Sequence, residues 1–345
     1  MSQQAPPTAI MREADPDMQL QDILASTEPV VVRGLIAGWP LVAAACDSDD
    51  VAVAYLKGFA SDLLPATVTV APPEADGRIF YNTDFTGFNF HRESIPLSVV
   101  LDTLLKYRDV ADAPMIYLGA TTIETYLPGL HAGNHVVLGS RDSLASIWIG
   151  NRSRVPTHQD LPANLACIAA GRRRFTLFPP EQLANLYIGP LDFTPAGQPI
   201  SLVDPTAPDL VRFPKFAEAW RHACVAELAA GDAIFIPSMW WHHIEALDAF
   251  NVLVNYWWRS SLVNRDAPVN ALMLAILCLR DLPEHERATW QEVFRHYVFD
   301  FEAEGVAGHI PEHARHVLGV LEPAKIENLR ATLMQRLAGK MPVSR

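Results

Sequence analysis

A histidine and an aspartate lie two residues apart near the middle of the chain, in His158-Gln159-Asp160. In an extended segment alternate residues point to the same side, so the imidazole and the carboxylate can bind one metal ion. A triplet of this kind is a weak signal alone, because it also occurs by chance as a surface pair or a cap. The pair therefore needs a third ligand from elsewhere in the chain.

A candidate third ligand follows a predicted strand much later in the sequence. Gly231-Asp232 predicts a turn and Ala233–Ile236 an apolar strand, and a proline and two tryptophans then lead to His242. Two histidines and one carboxylate with open coordination positions form the ligand set of non-haem Fe(II) oxygenases. Zinc tolerates the same ligands. The spacing therefore predicts one metal ion held by His158, Asp160 and His242.

The neighbouring pair of His243 and Glu245 is an alternative source of metal ligands. If His242 points into a barrel, strand alternation turns His243 outward. There we expect a hydrogen-bonded structural histidine rather than a ligand.

Three consecutive arginines follow in Gly171-Arg172-Arg173-Arg174-Phe175. Alternation places Arg172 and Arg174 on one face of a strand and Arg173 on the other. If Arg173 points inward, it is a buried cation that needs an anionic ligand. A dicarboxylate would fit, because the planar guanidinium can donate two hydrogen bonds to one carboxylate. The alternative is a run of solvated arginines.

The part of the chain from about 115 to 260 consists of short apolar segments separated by Pro, Gly and Asn, which favours a β-barrel or sandwich over a parallel α/β sheet. A brief helix is predicted over Pro179–Leu186 and a long loop over Pro190–Pro214, a length that is often functional. The predicted strands are Met115–Leu118, Ser146–Ile149, Leu165–Ala169, Arg174–Phe178, Val225–Leu228, Ala233–Ile236 and Asn251–Trp257.

The two flanking regions contain helical patterns. In the first, strands are predicted over Pro29–Gly34, Ala66–Val70 and Arg78–Asn82, and helices over Asp50–Phe59 and Pro96–Arg108. After about residue 266 the pattern is helical. Asn270–Leu279 is apolar on almost every side, so we expect it to be buried on more than one side. Further apolar stripes run through Trp290, Phe294, Tyr297 and Phe301, and through Ile326, Leu329, Leu333 and Leu337.

Composition excludes some classes of function. The 345 residues are 50% hydrophobic and 19% charged, as in a globular protein, and the net charge of −12 argues against nucleic-acid binding. The four cysteines form no C-x-x-C pair, which suits a reducing compartment. The N-terminus lacks a signal-peptide pattern, and Ala271–Leu279 is too short to span a bilayer. We therefore expect a cytoplasmic protein with no membrane or nucleic-acid partner.

Three segments carry a resemblance to a known family: H-Q-D, G-R-R-R-F-T-L-F-P-P-E-Q and G-D-A-I-F-I-P-S-M-W-W-H-H-I-E. They resemble the JmjC, cupin-like 2-oxoglutarate oxygenases, in particular bacterial cupin-like proteins and the asparaginyl hydroxylase of hypoxia-inducible factor. The resemblance covers about 115 to 260, with weaker support from P-V-V-V-R-G-L near the start. It implies a mainly β fold with flanking helices, a double-stranded β-helix (cupin/JmjC jelly roll) plus a C-terminal helical region. It also implies Fe(II), with 2-oxoglutarate and O₂ as cosubstrates.

The resemblance also implies roles for individual residues. The iron ligands are His158, Asp160 and His242. Cosubstrate-binding roles fall on Arg173, Asn164, Tyr117, Asn255 and Trp257.

Two positions depart from the asparaginyl hydroxylase. That enzyme has Lys where this chain has Arg173, and Thr where it has Val155. Both changes alter how the far carboxylate of 2-oxoglutarate is held.

The resemblance implies hydroxylation of a protein or peptide side chain. Two alternatives stay open: a hydroxylase of a small molecule such as an amino acid or natural product, and a non-catalytic cupin that binds an anionic metabolite or a partner. We expect an N-terminal α/β region over 1–114, the catalytic core over 115–262 and a helical region over 263–345. As in similar enzymes, the C-terminal helices are expected to form a homodimer.

Overall fold

The computed structural model describes residues 9–15, 17–259 and 266–339. Within these ranges fourteen β-strands alternate with helices. In chain order, the strands are β1 (Ala9–Ile10), β2 (Arg12–Glu13), β3 (Val30–Val32), β4 (Ala66–Ala71), β5 (His91–Ile95), β6 (Met115–Thr122), β7 (Leu144–Gly150), β8 (Ser153–Gln159), β9 (Ala163–Ala170), β10 (Arg172–Phe178), β11 (Cys224–Ala229), β12 (Ala233–Ile236), β13 (Trp241–Ala246) and β14 (Asn251–Trp258).

Ten α-helices accompany the strands, together with short 3₁₀ segments such as Pro180–Asn185 and a π-helical turn at Arg295–Phe299. The helices are α1 (Leu20–Ile23), α2 (Pro40–Asp47), α3 (Asp49–Lys57), α4 (Leu97–Tyr107), α5 (Ile123–Tyr126), α6 (Phe216–Arg221), α7 (Pro268–Leu279), α8 (Glu284–Phe294), α9 (Ala303–Ala307) and α10 (Pro323–Leu337). Among the described residues, each helix is too short or too polar to cross a bilayer.

The strands form two sheets. One has nine strands in the order β2-β3-β12-β9-β14-β7-β6-β4-β5, and the other has five in the order β1-β11-β10-β13-β8. Among the described strands, β1 pairs with β11 and β2 with β3 in parallel, and the other strand pairs are antiparallel. This mainly β jelly roll with flanking helices confirms the predicted fold class.

Alternation along each strand separates two cores. On β9, Leu165 and Cys167 face a large core that helices α2 to α4 complete, whereas Ala166 and Ile168 face the space between the sheets. Each fully buried aliphatic or aromatic side chain contributes roughly 1.5–3 kcal/mol to this packing. The face between the sheets is the interior in which the candidate metal ligands lie.

A third layer covers the outer face of the five-stranded sheet. Phe178 and Trp241 on the sheet pack against Val203, Phe213 and Phe216 from the segment 180–223. The predicted loop Pro190–Pro214 is part of this layer. Its Ile200 forms an isolated bridge with His158, which brings the loop to the candidate site.

Three differences from the predicted elements have clear causes. Arg78–Asn82 is not a strand, because its backbone makes only isolated bridges, such as Tyr81 with Phe88. Strand β8 was not predicted, because it contains Pro156, which is tolerated here since β8 lies at the edge of its sheet. Helix α2 was also not predicted. It begins with Pro40, and proline is tolerated in the first turn of a helix.

The chain divides into two compact units, residues 1–260 and 261–345. The predicted boundary between 262 and 263 lies outside the described residues. In the second unit, burial reaches Val306, Ala307 and Ile326. Helix α7 has no buried residue, so the expectation that Asn270–Leu279 is buried on several sides is wrong for the single chain: Leu277, for example, is 76% exposed.

Candidate metal centre

The three predicted metal ligands converge at the junction of two paired strands. His158 on β8 and His242 on β13 are direct antiparallel partners, and Asp160 follows immediately after β8. Their ligand atoms all lie within 4.8 Å of one another, and His242 Nε2 is 3.7 Å from Asp160 Oδ2. Two imidazole nitrogens and one carboxylate oxygen are a donor set that suits Fe(II) and leaves coordination positions open.

Backbone carbonyls fix the orientation of both imidazole rings. His158 Nδ1 lies 2.8 Å from the carbonyl oxygen of Pro156, and His242 Nδ1 lies 3.0 Å from that of Trp240. A carbonyl oxygen only accepts hydrogen bonds, so each Nδ1 carries the proton. The Nε2 lone pairs are therefore free to face a metal ion.

Asp160 is held through both its carboxylate and its backbone. Gln198 Nε2 donates to Asp160 Oδ1 at 3.1 Å, and Met239 N donates to the Asp160 backbone oxygen at 2.9 Å. Oδ2 is then the oxygen that points towards the histidines. Sequence reasoning missed Gln198, because it lies on an aperiodic loop whose only signal was its length.

Burial keeps His242 in the form that binds metal. Its side chain is 2% exposed, and burial, with a smaller contribution from His158, lowers its pKa to about 4. The ring is therefore neutral at physiological pH. A neutral imidazole is the form that coordinates a metal ion.

His243 points away from the metal ligands as expected, but the expectation that it is hydrogen-bonded is wrong. Its side chain is 2% exposed, neither ring nitrogen has a hydrogen-bond partner in the described structure, and burial lowers its pKa to about 3. The outward face of β13 is not solvated because the segment 180–223 covers it. Glu245 lies 3.6 Å from Arg174, and among the described residues only His158, Asp160 and His242 lie close enough together to share a metal ion.

A small inner cavity adjoins the metal ligands and contains all five residues predicted to bind a cosubstrate. Its lining, besides the three ligands, comprises Tyr117, Trp148, Val155, Asn164, Ala166, Arg173, Ile244, Leu253, Asn255 and Trp257. Trp148 was part of a predicted strand, but its place in the site was missed. Its indole nitrogen donates to Asn255 Oδ1 at 2.7 Å.

Unsatisfied donors point to the ligand that this inner cavity would take. Arg173 is 3% exposed, its Nε has no hydrogen-bond partner, and no carboxylate lies within ion-pair distance in the described part of the chain. Burial lowers the pKa of Arg173 to about 10, so the side chain stays charged at neutral pH. The indole N–H of Trp257 is also buried without a partner. A buried cation beside spare donors fits an acceptor-rich anion such as 2-oxoglutarate.

A larger outer cavity of about 350 Å³ opens on the other side of the metal ligands. Thr67, Thr69 and Arg92 from β4 and β5 form one wall, and residues 195–200 of the long loop form another. Tyr81 donates its hydroxyl proton to the carbonyl of Phe193 at 2.7 Å, which helps hold the loop in place. This cavity lies beside the metal ligands and opens to solvent, a position that suits a substrate.

Comparisons with known proteins place these features in context. A family model described as the cupin-like domain matches residues 16–264. Rat (Rattus norvegicus) HSPB1-associated protein 1 is 32% identical over 157 residues, which are 44% of this chain and 32% of that protein. Arabidopsis thaliana lysine-specific demethylase JMJ31 is 34% identical over 125 residues, 35% of this chain and 22% of that protein.

A third similar protein matches over a longer stretch. The human bifunctional peptidase and (3S)-lysyl hydroxylase JMJD7 is 23% identical over 273 residues, 69% of this chain and 79% of that protein. With the first curated relative, the match spans about a third of that protein's length.

Proposed function

Because the chain belongs to the cupin-like domain family, we propose that it is an Fe(II)- and 2-oxoglutarate-dependent oxygenase that hydroxylates a protein or peptide side chain. The family match confirms the resemblance inferred from the three sequence motifs. One observation carries the proposal: the His158, Asp160 and His242 cluster lies in the same cavity as the buried, unpaired guanidinium of Arg173.

Different residues would bind the metal and the cosubstrate. His158, Asp160 and His242 would hold iron, and Arg173 would pair with the far carboxylate of 2-oxoglutarate, with Trp257 and the other predicted residues Asn164, Tyr117 and Asn255 around it. Bound iron supplies the oxygen chemistry: a substrate C–H bond, O₂ and 2-oxoglutarate give a C–OH group, succinate and CO₂.

The protein itself contributes orientation and exclusion of water. The ring orientations are fixed by the carbonyls of Pro156 and Trp240, so Nε2 is ready before metal binds. Burial of His242 and Arg173 keeps water away from the inner cavity, where the cosubstrate would lie. Pre-oriented ligands and a dry cavity lower the reorganisation that the reaction needs.

A polypeptide substrate is supported by the open outer cavity and, by analogy, by the lysyl hydroxylase named among the relatives. The alternatives are a small-molecule hydroxylase and a non-catalytic cupin. Intact metal ligands beside an unpaired buried arginine favour catalysis over binding alone.

The test is Fe(II)-dependent conversion of 2-oxoglutarate to succinate under air by the purified protein, with His158→Ala and Asp160→Ala as controls. Succinate formed by the parent and lost in both variants supports the oxygenase. No succinate, together with no 2-oxoglutarate binding to the metal-loaded protein, would support the binding-module alternative instead.

A homodimer and a cytoplasmic location are part of the proposal. In the C-terminal unit an apolar groove is lined by Leu272, Ile276, Trp290, Phe294 and Phe299, and Phe299 is 76% exposed. Such a patch is typical of an interface. Light scattering should give the mass of a dimer, which Ile276→Asp should reduce to that of a monomer. A parent protein that is monomeric at micromolar concentration would contradict the dimer.

The location is supported by the cysteines, none of which is in a disulfide: Cys46, Cys167, Cys224 and Cys278 are all free. Free thiols are common in the reducing cytoplasm and uncommon in secreted proteins. Fractionation of cells that express the full chain would test the location, and recovery in a secreted or periplasmic fraction would contradict it.

A further inference from the structure

The outer cavity contains one cation without an anionic partner, Arg92. Among the described residues that line this cavity, the other ionisable groups near the metal are the ligands His158 and Asp160 and the phenol of Tyr117. No carboxylate in the described part of the chain lies within ion-pair distance of Arg92, unlike Arg172, for example, which pairs with Asp248. Arg92 therefore presents a charge to whatever enters the cavity.

The guanidinium is held in place rather than free to move. Arg92 Nη2 donates to the carbonyl oxygen of Pro195 at 2.7 Å, and its guanidinium carbon lies 5.6 Å from the centre of the Phe90 ring. The remaining N–H groups make no hydrogen bond in the part of the chain that the structure describes. A guanidinium that is already oriented loses less entropy when it binds a carboxylate.

Two further hydrogen-bond donors lie beside Arg92, on the neighbouring strands that lead towards the metal ligands. Arg92 on β5 pairs with Thr69 on β4, which pairs with Tyr117 on β6. The three side chains lie in one row on the cavity face, and Tyr117 also lines the inner cavity. A guanidinium, a hydroxyl and a phenol can all donate hydrogen bonds, so the row favours an acceptor-rich group.

The acidic residue next to Arg92 does not neutralise it. Alternation turns Glu93 to the opposite face of β5, where its carboxylate lies 2.8 Å from His91 Nε2. The positive charge of Arg92 is therefore the dominant fixed charge on the entrance wall, in a protein whose net charge is −12.

Resting on the proposed function, we propose that the substrate is an acidic side chain of a polypeptide, of the aspartate or glutamate type. Its carboxylate would pair with Arg92 and accept from Thr69, which places the neighbouring carbon towards the metal ligands. A lysine or arginine side chain would meet a like charge at the same entrance.

Arg92 also holds the loop through Pro195, so a variant must separate the two roles. Arg92→Gln keeps an N–H donor for the Pro195 carbonyl and removes the charge. Arg92→Glu reverses the charge. Arg172→Gln is the matched control, because Arg172 is an arginine on the solvent side of β10, away from the cavity.

The experiment measures succinate formation and a mass gain of one oxygen in four peptide libraries with random flanks, each fixed at its centre as Asp, Glu, Asn or Lys. Free aspartate and glutamate are further arms that distinguish a polypeptide from a small acid. Stimulation is expressed relative to each protein's own rate without a probe. We expect the Asp or Glu library to stimulate most, and Arg92→Gln to lower that stimulation about tenfold, as the loss of one charge-assisted hydrogen bond predicts.

Charge reversal gives the sharpest outcome, because Arg92→Glu should shift the preference towards the Lys library. Equal stimulation by the Lys library in the parent, or unchanged stimulation in Arg92→Gln, would overturn the inference. Stimulation by free acids alone would overturn the polypeptide part. If the protein forms succinate without a probe and no probe increases that rate, the inference is overturned. The proposal that the protein is an oxygenase would then still hold. Absence of succinate and of 2-oxoglutarate binding would instead remove the proposed function.

Discussion

The barrel interior contains two regions of opposite chemistry, and the same strands contribute to both. Arg173 on β10 and Asn164 on β9 line the metal cavity. Phe175 and Leu177 on the same face of β10, and Ile168 on β9, instead form a dry core with Leu228 and Ile234.

The difference shows that strand alternation alone does not decide what an inward position does. The dry core gains stability by burying Phe175 and Leu177 completely. The metal cavity buries the Arg173 guanidinium and the Trp257 indole N–H without full hydrogen bonding, which costs stability. We therefore expect substitutions in the dry core to change stability and those in the metal cavity to change binding and turnover.

The largest effect is expected for His242→Ala. Loss of a ligand should reduce iron-dependent turnover more than about a hundredfold, since even changes behind a ligand cost about 10–100-fold in affinity or activity. Succinate formation and metal titration measure the effect, and far-UV circular dichroism checks that the chain is folded. Turnover at the parent rate would show that the ligand assignment is wrong.

Phe175→Ala should have the opposite profile. Removing a fully buried aromatic side chain is expected to lower the free energy of unfolding by about 3–5 kcal/mol. Metal affinity per folded molecule should stay the same. Urea denaturation and Co(II) titration measure both quantities, and weak metal binding with unchanged stability would contradict the distinction between the dry core and the metal cavity.

Arg173→Met should weaken 2-oxoglutarate binding by about 30-fold or more, because a buried charged partner is worth about 2 kcal/mol or more. The ligand-free protein should lose no stability, because the change removes a buried charge without a partner. Calorimetry on metal-loaded protein without oxygen measures the affinity. Arg174→Met, a half-exposed neighbour, is the control, and an equal loss in both variants would contradict the role of Arg173.

The buried histidine on the other face of β13 predicts a pH effect. The unfolded chain binds a proton at His243 near pH 6.5, whereas burial lowers the folded pKa to about 3. Protons therefore favour the unfolded state, and stability falls as pH drops below about 6.5. His243→Phe should make the metal-free protein about 2 kcal/mol less sensitive to a change from pH 7 to pH 5.

Urea midpoints of parent and His243→Phe at both pH values test this. His242 titrates in both proteins, so the difference between them isolates His243. Identical pH dependence would mean that His243 is not buried in its neutral form.

Gln198→Ala should give the smallest effect, a loss of about tenfold in metal affinity, because the outer oxygen of Asp160 loses its donor. Co(II) titration measures it. Gln159→Ala is the matched control, since Gln159 lies between the ligands in sequence but makes no side-chain hydrogen bond in the described structure. Unchanged affinity in Gln198→Ala would show that Met239 alone holds Asp160.

Much of the architecture was predictable because local patterns encode it. The Gly-Asp turn before β12 and the apolar run that follows it predicted the approach to His242, and the predicted Ala233–Ile236 matches β12. The H-x-D spacing required an extended segment, although Pro156 concealed the strand that carries it.

What could not be predicted depends on contacts between distant segments. Gln198 reaches Asp160 only because the loop crosses the open end of the barrel. His243 is buried only because the segment 180–223 folds over β13. Neither contact leaves a periodic signal near the residue concerned. Local alternation gave the correct direction for His243 but could not show what lies on that side.

One wall of the outer cavity is formed by β4 and β5 and another by the loop at 195–200, whereas the metal donors lie on β13 and on or just after β8. Loops accept substitutions and insertions more readily than the elements that they connect. Substrate choice can therefore diverge in evolution, or be redesigned in the laboratory, while the oxygen chemistry stays intact. A directed-evolution library restricted to Thr67, Thr69, Arg92 and Ala196 would explore new substrates around an unchanged metal centre.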